Sequence, residues 1–444
     1  MFKNIKEIFR YPSVIFGVAI IIGLLILSVY AVISIPYAKA VSLWRGSEAD
    51  WYQNPKTAGP VWLNWFRKDK LPVTIDIKPD DEVITKTVTE TSSGKVIDIT
   101  IPFNFEADDF ADDMAMYFTS SFDSAPPFVG MSVISPDGTE TTISGFKIDR
   151  KFSYRFDQDK KLTKKLKNLV ASQGLFVDLK SDNLTKPIKG EYTIKIQAIT
   201  FDKNSDVNAE LVVYGQLCGW AGTDILRRDL GVALLWGTPI ALMFGLLAAV
   251  GTTLTQLIIA GISAWFGGWV DTLLQRITEV NMVLPFLPML MMIGTFYSRS
   301  IFVILTAVIL LSIFGQGVLT FRSMFLQVKE SPYIEAARSY GASNRRIIFQ
   351  YMVPRLIPML IPQFIVLIPS YVFLEASLAI LGLGDPTLPT WGKVIQDAES
   401  NGALYQGWYY WVIEPSILLM LTGLAFSVVG YALDRVFNPR LRGQ

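Results

Sequence analysis

Ser331-Pro-Tyr-Ile-Glu-Ala-Ala-Arg-Ser-Tyr-Gly-Ala-Ser-Asn-Arg-Arg346 is a polar island between long apolar segments. Ser331 suits a helix N-cap, and Pro332 suits the first helical position, where its missing N–H would be unpaired anyway. Ala336 and Ala337 leave one face nearly flat, so a partner surface can approach the backbone. Gly341 is placed to end the helix with a residue that tolerates positive φ. Ser343 can start a second short helix, which Pro354 interrupts. The expected shape is helix, sharp bend, helix. A membrane chain that keeps such a segment between spans presents it to a soluble partner; the plainer alternative is an ordinary cytosolic loop.

Half of the residues are hydrophobic (51%) and only 18% are charged, the composition of a membrane protein. A formal net charge of +1 argues against nucleic-acid binding. The chain has no histidine, which excludes imidazole bases and His-ligated metals, and the single Cys218 excludes an intramolecular disulfide. Cys218 reads as a small packing residue, with a reactive thiol as the alternative. No phosphate loop, dinucleotide fingerprint or serine-nucleophile elbow occurs, so any ATP energy comes from a partner.

Uncharged runs of roughly 20 residues can cross a bilayer. Residues 14–35 form one such run, read as an uncleaved first span. Residues 230–270 read as one long tilted helix. Residues 280–297, 300–321, 356–381 and 415–433 supply four more, six in total. The excess of Lys and Arg sets orientation. With the N-terminus inside, Lys3, Lys6, Arg10, Arg276, Arg322, Lys329, Arg338, Arg345, Arg346, Arg355, Arg435, Arg440 and Arg442 are cytoplasmic. Only Arg299 and Lys393 fall in short outer loops. Both termini and the Ser331–Arg346 island are then cytoplasmic, and the chain is a multi-pass protein of the plasma (inner) membrane.

Residues 41–222 differ in character. Val73-Thr-Ile-Asp-Ile77, Val96-Ile-Asp-Ile-Thr-Ile101, Tyr192-Thr-Ile-Lys-Ile-Gln-Ala-Ile199 and Ala209-Glu-Leu-Val-Val-Tyr214 alternate as half-buried strands do. Ser92-Ser-Gly-Lys95 and Pro136-Asp-Gly-Thr139 read as hairpin turns. Residues 158–170 read as one amphipathic helix with Leu162, Leu166, Leu169 and Val170 inward. The fold class is therefore a mainly α polytopic membrane protein with six spans and a β-rich, antiparallel, sandwich-like extracytoplasmic domain between spans one and two. The domains are 1–40, 41–222 and 223–444, with the cytoplasmic loop that carries the polar island at 330–354. Asn183-Leu-Thr185 is a glycosylation sequon.

The island resembles the cytoplasmic coupling loop of importer-type ABC permeases, carried here by Glu335, Ala336, Ala337, Gly341 and Pro354. Tyr351 and Val353 stand where that family usually has Ile and Leu. The resemblance extends over residues 222–444. Gly222-Thr-Asp224 with Arg228-Asp229 is similar to the entry to the second span in C-type permeases of dipeptide, oligopeptide and nickel importers, with Arg227 where Gly is usual. Phe266-Gly-Gly-Trp-Val-Asp271, Glu375-Ala-Ser-Leu-Ala-Ile-Leu-Gly-Leu-Gly384, Pro389-Thr-Trp-Gly392 and Asn438-Pro-Arg-Leu-Arg442 are similar to its further motifs. The resemblance implies a non-catalytic permease subunit of a heteromeric, ATP-driven importer, forming half of the pathway. Its partners would be a B-type permease, ATPase subunits with two nucleotide sites, a solute-binding protein and membrane lipid. ATP and magnesium would be bound by the ATPases, with no cofactor in this subunit. Di- or oligopeptides are the expected cargo; nickel chelates, opines and oligosaccharides are alternatives, as is a receptor-like sensor or a secondary transporter.

Glu375 reads as a pathway or outer-gate group, or as an interfacial carboxylate bonded to the following loop. Asn281 can line the pathway or bond a neighbouring helix. Gly407-Trp-Tyr-Tyr-Trp411 reads as an interfacial aromatic belt or as a contact for the binding protein. Pro354, Pro358, Pro362 and Pro369 are expected to kink the fifth span.

Overall fold

The 23-residue apolar helix α1 (Pro12–Ser34) is followed by the short α2 (Tyr37–Arg45), and from there the chain changes secondary structure altogether. The structure, a computed structural model, describes residues 12–91, 94–179 and 184–437. Lys3, Lys6, Arg10, Ser92, Asn183 and Asn438-Pro-Arg-Leu-Arg442 lie outside the described residues. The chain divides into two compact units, one of them Gly46–Gly231 and the other formed from the segments on either side.

The Gly46–Gly231 unit is a sandwich of two antiparallel sheets. Its strands are β1 (Ile75–Ile77), β2 (Thr85–Thr91), β3 (Gly94–Phe105), β4 (Asp113–Ser121), β5 (Phe128–Ile134), β6 (Glu140–Lys147), β7 (Lys151–Arg155), β8 (Gly190–Ile199) and β9 (Asp206–Tyr214). One sheet runs β1-β9-β4-β7 and the other β2-β3-β8-β5-β6. Alternation sends Ile97, Ile99, Ile101 and Phe103 from β3, and Leu211 and Val213 from β9, into one shared core. Pro136-Asp-Gly-Thr139 turns between β5 and β6, with Gly138 at φ 79°.

The helix expected over 158–170 is broken. Helix α3 is only Lys160–Lys165, capped by Asp159, whose carboxylate accepts from the N–H of Lys161 and Leu162. Lys167 and Asn168 then take φ of 54° and 65°, and α4 (Ala171–Gly174) follows. Lys160/Lys164 and Lys161/Lys165 are like-charge pairs at i,i+4, which weaken a longer helix. Leu162 and Leu166 are buried as expected, but Val170 is exposed.

In the second unit, α5 (Leu230–Phe266) is a continuous 37-residue helix. The third and fourth expected spans are not continuous. Helices α6 (Gly268–Val283) and α7 (Phe286–Phe296) meet at 75°, and α8 (Ile301–Ser312) and α9 (Gln316–Lys329) at 48°. Pro285 explains the first break, since it disfavours helix at Leu284; Gly315 lies at the second. Among the described residues, four helices are long and apolar enough to cross a membrane, or six if each bent pair is one span. Helix α10 (Pro332–Ser339) and the one-turn α11 (Asn344–Arg346) lead into a π-helical stretch (Ile347–Met352) and α12 (Val353–Leu378). Pro354 does not interrupt the helix. The wide turn ahead of it accommodates the missing N–H, and Pro358, Pro362 and Pro369 lie inside the same continuous helix. Helices α13 (Trp391–Ser400), α14 (Ala403–Gln406) and α15 (Tyr410–Phe437) complete the chain.

Candidate functional site

Helix α10 begins at Ser331, in extended conformation, with Pro332 at its first turn. The Ser331 hydroxyl does not cap it; that group donates to the Gln327 carbonyl at 3.5 Å. The helix ends at Gly341, φ 77°. Gly341 N–H donates to Arg338 O at 2.9 Å and Ala342 N–H to Ala337 O at 3.0 Å, the paired bonds of a Schellman ending. A Cβ on Gly341 would touch nothing, so the requirement for glycine there is purely conformational. Ser343 caps α11 by accepting from Arg346 N–H at 3.4 Å.

Ile334 and Ala337 face inward. They pack on Ala264 and Trp265 of α5, Phe325 of α9 and Ile347. Only one of the two expected flat positions therefore faces out, because residues three apart share the buried stripe. Glu335, Ala336, Ser339 and Tyr340 form the outward face, Tyr340 at 92% exposure. Phe349 is also exposed, next to the exposed Arg345 and Arg346. Sequence reading missed both aromatics; an aromatic directly before the helix-ending Gly was the available signal for Tyr340.

Two cations seat the loop on the end of α5. Lys329 Nζ donates to the carbonyls of Ala264 (2.7 Å) and Trp265 (3.1 Å), which the helix end leaves open. The Arg338 guanidinium lies 4.6 Å from the Trp265 ring centroid. Just beyond, Gly267 and Gly268 both take positive φ (63° and 54°) to turn the chain into α6. Asp271 of α6 receives Arg322 of α9 through two bonds, Nε to Oδ1 at 2.6 Å and Nη2 to Oδ2 at 2.5 Å, and also binds the Ser263 hydroxyl of α5. One carboxylate thus ties three helices beside α10.

Asn281 and Glu375 are not brought together. Asn281 Nδ2 donates to the carbonyls of Leu311 (3.1 Å) and Phe314 (3.3 Å), and Gln256 Nε2 to Ser312 O (2.7 Å), so both amides satisfy the end of α8. Asn281 also lines a cavity of about 680 Å³ with Gln256, Gln316, Gln363, Tyr371 and Asp434. Glu375 is outside that lining and buried, hydrogen-bonded to Thr390. The neighbouring Trp391 is 1% exposed and donates to Leu234 O at 3.0 Å.

Gly222-Thr-Asp224 lies within the β-rich unit. Asp224 is fully buried, accepting from Arg228 Nε (2.5 Å) and from the N–H of Leu226 and Arg228. Arg227 stands at φ 65°, which explains a usual Gly there. Cys218 is half-buried, and burial pushes its thiol up to about 11, away from reactivity.

Long apolar helices with a short charged helix between them mark a multi-pass membrane protein. The family model for the binding-protein-dependent transport system inner membrane component matches residues 256–443. The chain is 30% identical over 225 residues to the oligopeptide transport system permease protein of Bacillus subtilis, covering 50% of this chain and 72% of the relative. It is 31% identical over 229 residues to the glutathione transport system permease protein of Pectobacterium atrosepticum (50% and 73%). It is 28% identical over 279 residues to the dipeptide transport system permease protein of Bacillus subtilis (62% and 83%). The chain belongs to the family of binding-protein-dependent transport system inner membrane components, as a permease subunit. The Gly46–Gly231 unit lies outside the residues matched by the family model.

Proposed function

We propose that this chain is the C-type permease subunit of an ATP-driven importer of di- or oligopeptides. The observation that carries the reading is the outward face of α10, with Glu335 and Ala336 exposed on a short helix ended by Gly341 at φ 77°. The dipeptide, oligopeptide and glutathione cargo for which the three relatives are named supports peptides. Six spans form half of the pathway, each bent pair crossing once, with both termini cytoplasmic and the β-rich unit outside. A B-type permease completes the pathway, a solute-binding protein delivers cargo, and two ATPase sites hold ATP and magnesium. This subunit performs no catalysis of its own. Glu335, Ala336, Ala337, Gly341 and Pro354 form the coupling element. Ala337 and Pro354 set its seat and exit, while Glu335 and Ala336 meet the ATPase. Asn281 lines the pathway and Glu375 braces its outer end. The two nucleotide states bias the helices because they bind the two conformations unequally.

The test is a Gly341 series in the assembled complex. Forcing a β-branched residue to φ 77° costs about 1–2 kcal/mol or more. Gly341→Val is expected to cut cargo-stimulated ATPase activity at least tenfold while the subunit still inserts and assembles. Gly341→Asn, which tolerates this conformation, should retain most of it. Equal activity in Val and Asn variants would remove the coupling assignment. Orientation is tested with a membrane-impermeant thiol reagent on intact cells in a Cys218→Ala background. Lys203→Cys should react and Ser343→Cys should not.

A further inference from the structure

The 3-10 helix Val61–Phe66, Val-Trp-Leu-Asn-Trp-Phe, carries two large aromatic side chains into solvent. Trp65 is 80% and Phe66 81% exposed, and the next residues, Arg67 and Lys68, are exposed cations. Aromatic tips flanked by cations on an ordered loop are unusual on a solvated surface, where such area is normally covered.

The loop is held at its base. Asn64 donates to Leu71 O and accepts from Leu71 N–H, each at 3.0 Å, and Lys70 N–H donates to Asp108 Oδ2 at 2.8 Å. Trp65 and Phe66 are thus presented on a closed loop, and little freedom remains to be lost on binding.

Its root lies beside the entry to a membrane-length helix. Val61 N–H donates to Gly219 O at 2.9 Å, and Leu230 N–H, first residue of α5, donates to Gly222 O at 3.1 Å. Between them, Trp220 lies against the first turn of α5; a Cβ on Gly231 would stand 2.5 Å from Trp220 Nε1. Trp220 is itself 52% exposed. Trp65 and Phe66 thus stand on a segment bonded through Val61 to Gly219, and Trp220 on the segment that leads into α5. Tryptophan favours the headgroup level of a bilayer, where its ring is apolar and its N–H wet.

We propose that Trp65 and Phe66, with Trp220, anchor the β-rich unit in the lipid interface, with Arg67 and Lys68 set on anionic headgroups. The occupant is the bilayer that α5 enters: the loop is rooted on the segment bonded to the first residue of α5, and its charge complements anionic lipid. This rests on α5 crossing the membrane, and the test separates the two claims.

The full chain, assembled with its partner subunits in lipid nanodiscs and carrying Cys218→Ala, is labelled with an environment-sensitive fluorophore at one of three substitutions. These are Trp65→Cys, Lys203→Cys and Leu246→Cys. Lys203 is exposed in the β8–β9 connection, at the end of β9 opposite the exit to α5, and Leu246 is exposed on α5. Lipids brominated near the headgroup should quench the label at 65 at least twofold, quench the label at 246, and leave the label at 203 unchanged. With phosphatidylglycerol present, Arg67→Glu combined with Lys68→Glu should halve the quenching at 65. Quenching at 246 but not at 65 would overturn the anchor and leave the span intact. A label at 65 that responds only to added solute-binding protein would make the loop a protein dock and overturn the lipid assignment. No quenching at 246 would overturn the membrane reading of α5, and the anchor with it.

Discussion

The two units each hold an aspartate–arginine pair, and the pairs differ in what they join. In the β-rich unit Asp224 and Arg228 are four residues apart, and their side chains are 0% and 8% exposed. In the helical unit Asp271 and Arg322 are separated by 51 residues and are 16% and 23% exposed. The first pair closes one loop on itself; the carboxylate also holds two backbone N–H groups of that loop. The second joins α6 to α9, with Ser263 of α5 on the same carboxylate. A local pair fixes a shape. A pair between helices carries displacement from one to another, which the proposed drive by an external ATPase would need beside α10.

Removing one partner of the buried local pair leaves an uncompensated charge, a loss of about 3–5 kcal/mol. Asp224→Ala should therefore unfold the β-rich unit or abolish accumulation of the protein, measured by thermal unfolding and by yield. Restoring neutrality with Asp224→Ala and Arg228→Met together should recover a large part. If the double substitution is no better than the single one, the loop depends on the backbone bonds to Asp224 rather than on the ion pair.

The inter-helix pair should show a smaller stability effect and a larger functional one. It is partly solvated, so losing its charge-assisted bonds costs about 1.5–3 kcal/mol. Asp271→Asn should leave the subunit assembled but reduce cargo-stimulated ATPase activity more than basal activity. A uniform fall in both rates would make the pair a stabiliser only, and the contrast with Asp224 would reduce to burial.

How much of this was legible depends on the range of the interaction. The six apolar runs, the alternation of β3, β8 and β9, and the positive φ at Gly341 are set by neighbours a few residues away, and the sequence displays them. β2, Thr-Lys-Thr-Val-Thr-Glu-Thr, is exposed along its whole length and takes its conformation from pairing with β3, so no apolar period announces it. The bends at Pro285 and Gly315 fall inside apolar runs, where hydropathy registers only length. Within the candidate site, the helix start at Pro332 and its end at Gly341 were readable, whereas the inward turn of Ala337 and the seat on Trp265 follow from tertiary packing. The same holds for Asp271, whose partner lies 51 residues away.

A third arrangement in the β-rich unit is two carboxylates that face each other. Asp76 lies against Glu210, which accepts from the Tyr52 hydroxyl and from Gln53 Nε2 at 2.7 Å, while Lys78 Nζ stands 3.7 Å from Asp76. Burial first, and then the Glu210 charge, push Asp76 up from 3.8 to about 6. The folded form therefore holds more protons than the unfolded one. Its contribution to stability grows as pH falls through about 6, is complete below 3.8, and is lost as pH rises again. Asp108, Asp159 and Asp202 are lowered and work in the opposite direction. The measurement is hence a difference: Asp76→Asn should raise the melting temperature at pH 7.5 relative to wild type more than at pH 5. A constant difference across that range would show that folding does not raise Asp76.

The smallest effect should come from Arg227, which adjoins the local pair. Its φ of 65° costs a non-glycine residue about 1–2 kcal/mol. Against that, Nη1 donates to Asn54 O at 2.5 Å and the guanidinium lies 5.1 Å from the Tyr214 ring centroid. Those contacts contribute about 0.5–1.5 kcal/mol each. Arg227→Gly removes strain and contacts together, so its stability should stay within about 1 kcal/mol of wild type. Arg227→Ala loses the same contacts but keeps most of the strain, and should be less stable than Arg227→Gly by about 1 kcal/mol. Asn54 Nδ2 bonds the carbonyl of residue 227, a backbone group present in every variant, so it cancels from the comparison. Equal melting temperatures for the Ala and Gly variants would mean that the loop relaxes out of positive φ once the side chain is gone. The conformation would then be held by the arginine contacts themselves rather than imposed by the Asp224 lock beside it.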